Sequence, residues 1–114
     1  MYFIYMLRCE DNTIYTGITT DIERRMKEHF EKDKKCAKYT LRHSAKKLEA
    51  VWKTATRVHA SKLEYHIKKL FKLQKEKLII DKKLEEFLSE KIECDEYDVV
   101  DISSIENKKK EEYK

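Results

Sequence analysis

The chain of 114 residues contains no proline, one glycine and three cysteines. Neither repeats nor Pro/Gly-rich linkers interrupt it, and its length suits a single domain with one modest core. Cys9, Cys36 and Cys94 are odd in number, widely spaced and without a CxxC pair, which argues against a disulfide framework and against a zinc site. We therefore expect a reduced, cytoplasmic protein.

Long apolar runs are lacking as well. No stretch approaches the roughly 18 to 20 apolar residues that a bilayer crossing requires. The N-terminus shows no basic segment ahead of an apolar run and a cleavage site. We expect neither export nor contact with a membrane.

Charge, by contrast, is abundant and unevenly distributed. Residues 1–80 contain 19 Lys and Arg against 10 Asp and Glu, a net charge of +9, whereas residues 81–114 contain 7 against 12, a net charge of −5. The basic part can hold a polyanionic backbone through counterion release, without sequence preference. We predict one domain over residues 1–80, followed by a helical extension and an acidic, mobile C-terminal tail over residues 81–114.

Two tyrosines near the N-terminus stand on neighbouring segments of strand-like alternation. Residues 3–9 and 13–18 are separated by three polar residues, a pattern typical of a β-hairpin. An odd-length connection brings Tyr5 and Tyr15 to one face of the sheet, because side chains alternate along a strand. Gly17 follows the second tyrosine and permits a close approach that a Cβ would obstruct.

The next segment predicts an amphipathic helix over residues 21–31. Three apolar residues recur at every fourth position: Ile22, Met26 and Phe30. Thr20 and Glu23 form a capping box at the start of this helix. Arg25 and His29 lie one turn apart on one edge of the apolar stripe, so both should point along the boundary between helix and sheet.

The remaining elements complete an α+β fold. Residues 48–56 alternate as a third strand, residues 63–71 mark a helix, and residues 75–92 predict another. Residues 93–105 are compatible with a short strand or with an acidic mobile tail. We predict a small three-stranded antiparallel sheet flanked by helices, in the order β-β-α-β-α-α.

A Lys-rich connection over residues 32–47 offers candidate contacts to nucleic acid. They are Lys34, Lys35, Lys38, Tyr39, Lys46 and Lys47. The lysines can follow a phosphate backbone while Tyr39 stacks on a base. A solvated loop is the alternative, since charge runs are usually that.

Five motifs follow one another along the chain: Phe3-Ile4-Tyr5, Tyr15-Thr16-Gly17, the helix with Arg25 and His29, Ala37-Lys38-Tyr39-Thr40, and Leu63-Glu64. Together they resemble the GIY-YIG nuclease family, in particular its small stand-alone bacterial members. Phe3 replaces the first glycine of the family motif and Thr16 replaces an isoleucine, and neither change removes a reactive group. Ile18 stands where excision-repair relatives carry a lysine.

The resemblance implies a metal-dependent endonuclease that hydrolyses phosphodiester bonds in nucleic acid, expected to be DNA, in repair or recombination. It implies one divalent cation, Mg²⁺ or Mn²⁺, with Glu64 as its ligand. The implied catalytic residues are Tyr15 as the base, Tyr5 as its orienting partner, Arg25 as the stabiliser of transition-state charge, and His29 as a hydrogen-bonding or proton-shuttling group. Gly17 is implied to be structural.

Each of these assignments has an alternative. The tyrosines are also ordinary β-formers, and Glu64 completes a capping box with Ser61 that needs no metal. The chain can alternatively be a nucleic-acid-binding module with little nuclease activity, or a subunit that depends on a protein partner. His43, His59 and His66 have no metal-ligand spacing.

Overall fold

The computed structural model describes residues 1–31, 38–103 and 105. The strands are β1 (Tyr2–Cys9), β2 (Ile14–Thr19), β3 (Ala45–Thr54) and β4 (Asp98–Val99). The helices are α1 (Ile22–Phe30), α2 (Lys38–Arg42), α3 (Arg57–Lys69), α4 (Lys72–Asp81) and α5 (Glu85–Leu88), with a 3₁₀ turn over Cys94–Glu96. The strands form one antiparallel sheet in the spatial order β2-β1-β3-β4. The predicted α+β class and antiparallel sheet are confirmed, with four strands instead of three.

The β1–β2 hairpin turns at Asn12, which adopts a left-handed conformation with φ 69°. Cys9 N donates to Thr13 O at 2.9 Å, and the Asp11 carboxylate accepts from the Thr13 amide at 3.1 Å. Asn and Asp tolerate this turn because their short side chains hydrogen-bond locally. Arg8 is opposite Ile14, so in the same register Cys9 faces Thr13 and an odd number of residues, 10–12, separates them, as the sequence predicts.

Apolar residues pack on both faces of the sheet. One face carries Ile4, Met6, Ala50 and Trp52 and is covered by α3, α4 and α5. The other carries Tyr5, Leu7, Leu48 and Val51 and is covered by α1 through Ile22, Met26 and Phe30. Alternation along β1 supplies both cores, so the sheet forms the middle layer of the fold.

The predicted helix over residues 75–92 is wrong in its extent. Helix α4 ends at Asp81 because Lys82 is left-handed, with φ 57°, and α5 is only one turn long. Three apolar side chains beyond the break are buried in the core: Leu84, Leu88 and Ile92. The change of direction at Lys82 lets residues that follow α4 return to the sheet, which one straight helix would not allow.

The C-terminal part of the described chain also joins the sheet. Asp98 and Val99 pair with Lys53 and Trp52 of β3, and Val100 N donates to Val51 O at 2.9 Å. Val100, Ile102 and Ile105 pack against the core on the α1 face. Of the two predictions for residues 93–105, the short strand is the one the structure shows, because these apolar side chains have a core to cover. Residues 106–114 lie outside the described residues.

Both predicted capping boxes are wrong. Asp21 caps α1 by accepting from Arg24 N at 3.1 Å, one residue later than predicted. Thr56 caps α3 by accepting from His59 N at 3.1 Å, so Ser61 lies inside the helix.

Among the described residues, no helix combines the length and the apolar character that a membrane crossing requires.

Candidate active site

Tyr5 and Tyr15 lie on the same face of the β1–β2 hairpin. In the register of the strands, Tyr5 is opposite Gly17 and Leu7 is opposite Tyr15. The two tyrosine rings are diagonal neighbours with centroids 6.1 Å apart. Tyr5 is 1% exposed, whereas Tyr15 is half-buried. The structure therefore brings the two tyrosines together as predicted, with one ring inside and one reaching the surface.

Gly17 makes room for the ring of Tyr5. A Cβ at this position would lie 2.5 Å from the Tyr5 hydroxyl oxygen, 2.7 Å from its Cζ and 2.9 Å from Tyr15 Cε2. The φ of Gly17 is not positive, so the glycine serves the close approach of side chains and not an unusual backbone conformation. The group that comes close to Gly17 is thus a tyrosine side chain.

Helix α1 adds Arg25 and His29 to the tyrosines. The Tyr5 hydroxyl is 2.8 Å from His29 Nε2, and Arg25 Nε donates to the same hydroxyl oxygen at 3.4 Å. His29 is fully buried, and its ring centroid is 5.6 Å from those of both tyrosines. These four residues form one cluster, which we call the Tyr-His-Arg cluster: Tyr5, Tyr15, Arg25 and His29.

Burial and charge keep the inner part of this cluster neutral. The pKa of Tyr5 is raised, mainly by burial and further by the neighbouring Tyr15, whereas the hydrogen bond from Arg25 acts to lower it. Burial first, and then the positive charge of Arg25, lowers the pKa of His29 to about 4. At neutral pH the Tyr5 phenol keeps its proton and the imidazole is uncharged.

Glu28 is a site residue that the sequence analysis missed. Its buried carboxylate accepts from Arg25 Nη1 at 2.9 Å and from Arg24 Nη1 at 3.2 Å. The spacings of three and four residues within one helix are the signal that could have revealed these pairs. The carboxylate restrains the Arg25 guanidinium while Arg25 Nε reaches Tyr5.

Glu64 approaches the cluster from α3. It lies in the middle of that helix, so the capping alternative is wrong. Its charge contributes, after burial, to the raised pKa of Tyr5, which places the carboxylate within electrostatic reach of the phenol. A cation already lies beside it, since Lys68 Nζ is 3.4 Å from Glu64 Oε2 and 6.0 Å from the Tyr15 ring centroid.

The Glu64 carboxylate and the residues around it supply only some of the ligands that a divalent cation needs. Within the described ranges, no three His, Cys, Asp or Glu side chains come together as a ready-made metal centre. A single carboxylate nevertheless suits Mg²⁺, which keeps several waters and binds through one or two carboxylates together with substrate phosphates. The position of the Lys68 ammonium shows that positive charge is accommodated between Glu64 and Tyr15. One carboxylate therefore suits such a cation only where other oxygen ligands complete its coordination.

The structure describes four of the six predicted nucleic-acid contacts. Lys34 and Lys35 lie outside the described residues. Lys38 is exposed at the start of α2, and Lys46 and Lys47 are exposed near the start of β3. Lys47 Nζ lies 3.5 Å from Glu49 Oε1, in an ion pair whose lysine stays solvent-accessible.

Tyr39 belongs to an aromatic row that begins at the cluster. Its ring centroid lies 5.4 Å from that of Tyr15, and it stacks on His43 at 4.3 Å with 20° between the planes. His43 in turn pairs with Asp11 at the hairpin tip. The row Tyr15, Tyr39, His43 therefore extends the site toward the hairpin turn.

A family profile described as the GIY-YIG catalytic domain matches residues 1–84. A UPF0213 protein of Fusobacterium nucleatum is 46% identical over 78 residues, which span 68% of this chain and 76% of the relative. A UPF0213 protein of Halobacterium salinarum is 40% identical over 78 residues, 68% of this chain and 99% of the relative. A solution NMR structure of a UPF0213 protein from Bacillus halodurans, 38% identical, covers 70% of this chain and 84% of that one with a TM-score of 0.46.

Proposed function

The chain belongs to the GIY-YIG catalytic-domain family, and on that premise we propose that it is a DNA endonuclease that hydrolyses phosphodiester bonds with the help of one divalent cation. The observation that carries the proposal is the Tyr-His-Arg cluster. In it the buried Tyr5 phenol contacts the neutral His29 imidazole and the Arg25 guanidinium. The half-buried carboxylate of Glu64 lies nearby. The family match covers the whole cluster together with Glu64.

Arg25 supplies the charge that phosphodiester hydrolysis needs. The reaction passes through a transition state with additional negative charge on the phosphoryl oxygens, and a preorganised cation stabilises that charge. Glu28 and the Tyr5 hydroxyl hold the Arg25 side chain before substrate arrives. The guanidinium remains partly accessible, so its planar donor fork can reach a phosphate.

The two tyrosines take different roles because their environments differ. Tyr5 is buried and its pKa is raised, so it keeps its proton and orients its neighbours. Tyr15 is half-buried beside the Lys68 ammonium and is the residue we assign to take a proton from the attacking water. His29 is neutral, shares a hydrogen bond with the Tyr5 phenol through Nε2, and fixes that phenol against Gly17.

Glu64 is the residue that would hold the cation, Mg²⁺ or Mn²⁺. When bound, such a cation polarises a phosphoryl oxygen and stabilises the leaving oxygen. The carboxylate lies in the middle of α3 and is half-buried. We place the activity in the reducing cytoplasm, where Cys9 and Cys94 stay free, and in DNA repair or recombination.

The ion pair between Glu64 and Lys68 favours a second candidate function. A cation that enters must compete with the Lys68 ammonium for the carboxylate. A protein in which the ammonium prevails binds nucleic acid through its basic surface and cuts it poorly. This second function is a nucleic-acid-binding module.

One experiment separates the two functions. The purified protein is incubated with single-stranded, duplex, flap and four-way-junction DNA, and with RNA of the same sequence, in Mg²⁺, Mn²⁺ or EDTA. Cleavage that requires the metal supports the endonuclease, whereas binding without cleavage in every metal supports the binding module.

A matched pair of variants links any cleavage to the cluster. Arg25→Ala should lower the rate by about two to three orders of magnitude, since one preorganised donor contributes about 3 to 4 kcal/mol. Lys27→Ala, an exposed cation on the same helix, should leave the rate nearly unchanged. Equal rates for the two variants would remove Arg25 from the mechanism.

A further inference from the structure

A groove of about 330 Å³ opens beside the Tyr-His-Arg cluster, where β2 ends and α1 and α3 begin. We call it the arginine groove. Its polar lining consists of Thr19, Thr20, Arg24, Arg25, Glu28 and Arg57. Arg25 belongs both to this lining and to the cluster, so the groove is continuous with the site of the proposed reaction.

The charge of the groove is positive. Three guanidinium groups face one carboxylate, and that carboxylate, Glu28, is already shared between Arg24 and Arg25. Arg57 is exposed, and none of the described residues forms a hydrogen bond or an ion pair with its side chain. The Arg57 donor fork is therefore available to a ligand.

The chemistry of the lining selects a phosphate. Guanidinium groups bind phosphate oxygens bidentately, and the hydroxyl of Thr20 is a donor of the kind that contacts nucleic-acid backbones. Arg57 is also the first residue of a helix of 13 residues whose first turn contains no acidic residue. The helix dipole at that end adds to the attraction of an anion that Arg57 holds.

The groove and the aromatic row lie at opposite ends of β2. Thr19 is the last residue of the strand and Thr20 follows it, whereas the row ends at His43, which pairs with Asp11 near the hairpin turn. Gly17, which lies opposite Tyr5 of β1, is between them. Because β2 is an edge strand, a polynucleotide strand can follow it along this whole length.

We propose that the arginine groove binds a backbone phosphate that neighbours the scissile phosphate, with Arg57 as its principal ligand. The proposal rests on the proposed function and extends it, since it sets the path of the substrate strand along β2. Arg25 contacts the scissile phosphate, and Arg57 contacts its neighbour on the α3 side. Arg57 is a binding residue that lies outside the reacting atoms.

Binding of a fluorescein-labelled duplex in EDTA tests the groove without any cleavage. The dissociation constant is measured by fluorescence anisotropy over a range of salt for wild type, Arg57→Ala and Lys62→Ala, the last an exposed cation on α3 outside the groove. If Arg57→Ala loses one phosphate contact, the magnitude of its slope of log affinity against log salt should fall by about 0.9. The ratio of wild-type affinity to Arg57→Ala affinity should then decrease about threefold between about 50 and about 200 mM salt. Lys62→Ala should keep the wild-type slope.

An Arg57→Ala protein with the wild-type slope would overturn the proposal. So would an equal decrease of the slope in Arg57→Ala and Lys62→Ala. Cleavage kinetics add a second reading, because a contact made equally in ground and transition states changes KM and leaves kcat unchanged. A fall in kcat with KM unchanged would also overturn it. If no DNA is cut in any metal but Arg57→Ala still shows the reduced salt slope, the proposed endonuclease activity is refuted while phosphate binding in the arginine groove is supported.

Discussion

Replacing Gly17 with alanine tests the geometry of the site through the sign of a stability change. An alanine in place of a strand glycine ordinarily stabilises a protein by about 0.5 to 1 kcal/mol, because the unfolded chain loses freedom. The φ of Gly17 is not positive, so the backbone itself tolerates alanine. The added Cβ, however, would lie 2.5 Å from the hydroxyl oxygen and 2.7 Å from the Cζ of Tyr5.

The Tyr5 ring has little freedom to move away. It is 1% exposed and is held by His29 Nε2 at 2.8 Å. Overpacking of this kind costs about 1 to 3 kcal/mol, and a weakened buried hydrogen bond adds about 1 kcal/mol. After subtracting the ordinary gain of alanine, we expect Gly17→Ala to destabilise the fold by about 1 to 3 kcal/mol, which is a fall in Tm of about 4 to 12 °C for a chain of this size.

The assay is a double-mutant cycle measured by urea unfolding. Tyr5→Phe removes the oxygen that the Cβ meets at 2.5 Å but keeps the Cζ at 2.7 Å. Gly17→Ala should therefore cost less in the Tyr5→Phe background, with a coupling of at least about 0.5 kcal/mol. A Gly17→Ala protein more stable than wild type, or additive effects of the two changes, would refute the close approach.

Three further predictions follow from the same structure. Glu64→Gln should abolish Mg²⁺-dependent cleavage while Tm barely moves, because the fold loses only a helix ion pair with Lys68 of about 0.3 to 0.5 kcal/mol; cleavage at the wild-type rate would remove Glu64 from the metal site. The pKa of His29 is about 4 in the fold, against about 6.5 when unfolded. As pH falls from about 6.5 to about 4, His29 becomes protonated in the unfolded chain but stays neutral in the folded one, so wild type should lose roughly 3 kcal/mol of stability. His29→Gln should not show this loss when the two proteins are unfolded with urea at both pH values. Ending the chain after residue 97 removes β4 and the packing of Val100 and Ile102, and should lower the unfolding free energy by about 1 to 3 kcal/mol relative to a chain that ends after residue 105, whereas a tail without contacts predicts no difference.

Local periodicity was sufficient to predict the centre of the site. Alternation along a strand places Tyr5 and Tyr15 on one face once the connection has an odd length, and the observed register agrees. A period of about 3.6 residues places Arg25 and His29 on one edge of α1, and both reach the Tyr5 hydroxyl. Both arguments depend only on the geometry of a single element, which the spacing of residues encodes.

The start and end of each helix were less predictable than its existence. Thr20 and Asp21 are adjacent and both are good N-cap residues, and the choice of Asp21 depends on where the chain leaves β2. Lys82 ends α4 although neither glycine nor proline is present, because the buried positions of Leu84 and Leu88 require a turn back toward the sheet. Composition contains no signal for such a break.

By itself the sequence determined the α+β class, the tyrosine hairpin and the helix edge that faces it, because each arises from contacts within one element or between neighbours along the chain. Only the tertiary structure brought Glu64 near the phenol, placed the Tyr39 ring against the Tyr15 ring, and joined Arg57 to Arg25 in one groove. These pairs come from different helices and strands, and their distances depend on how the layers pack. Spacing along the chain does not encode that packing, since it follows from burying both faces of one sheet at once.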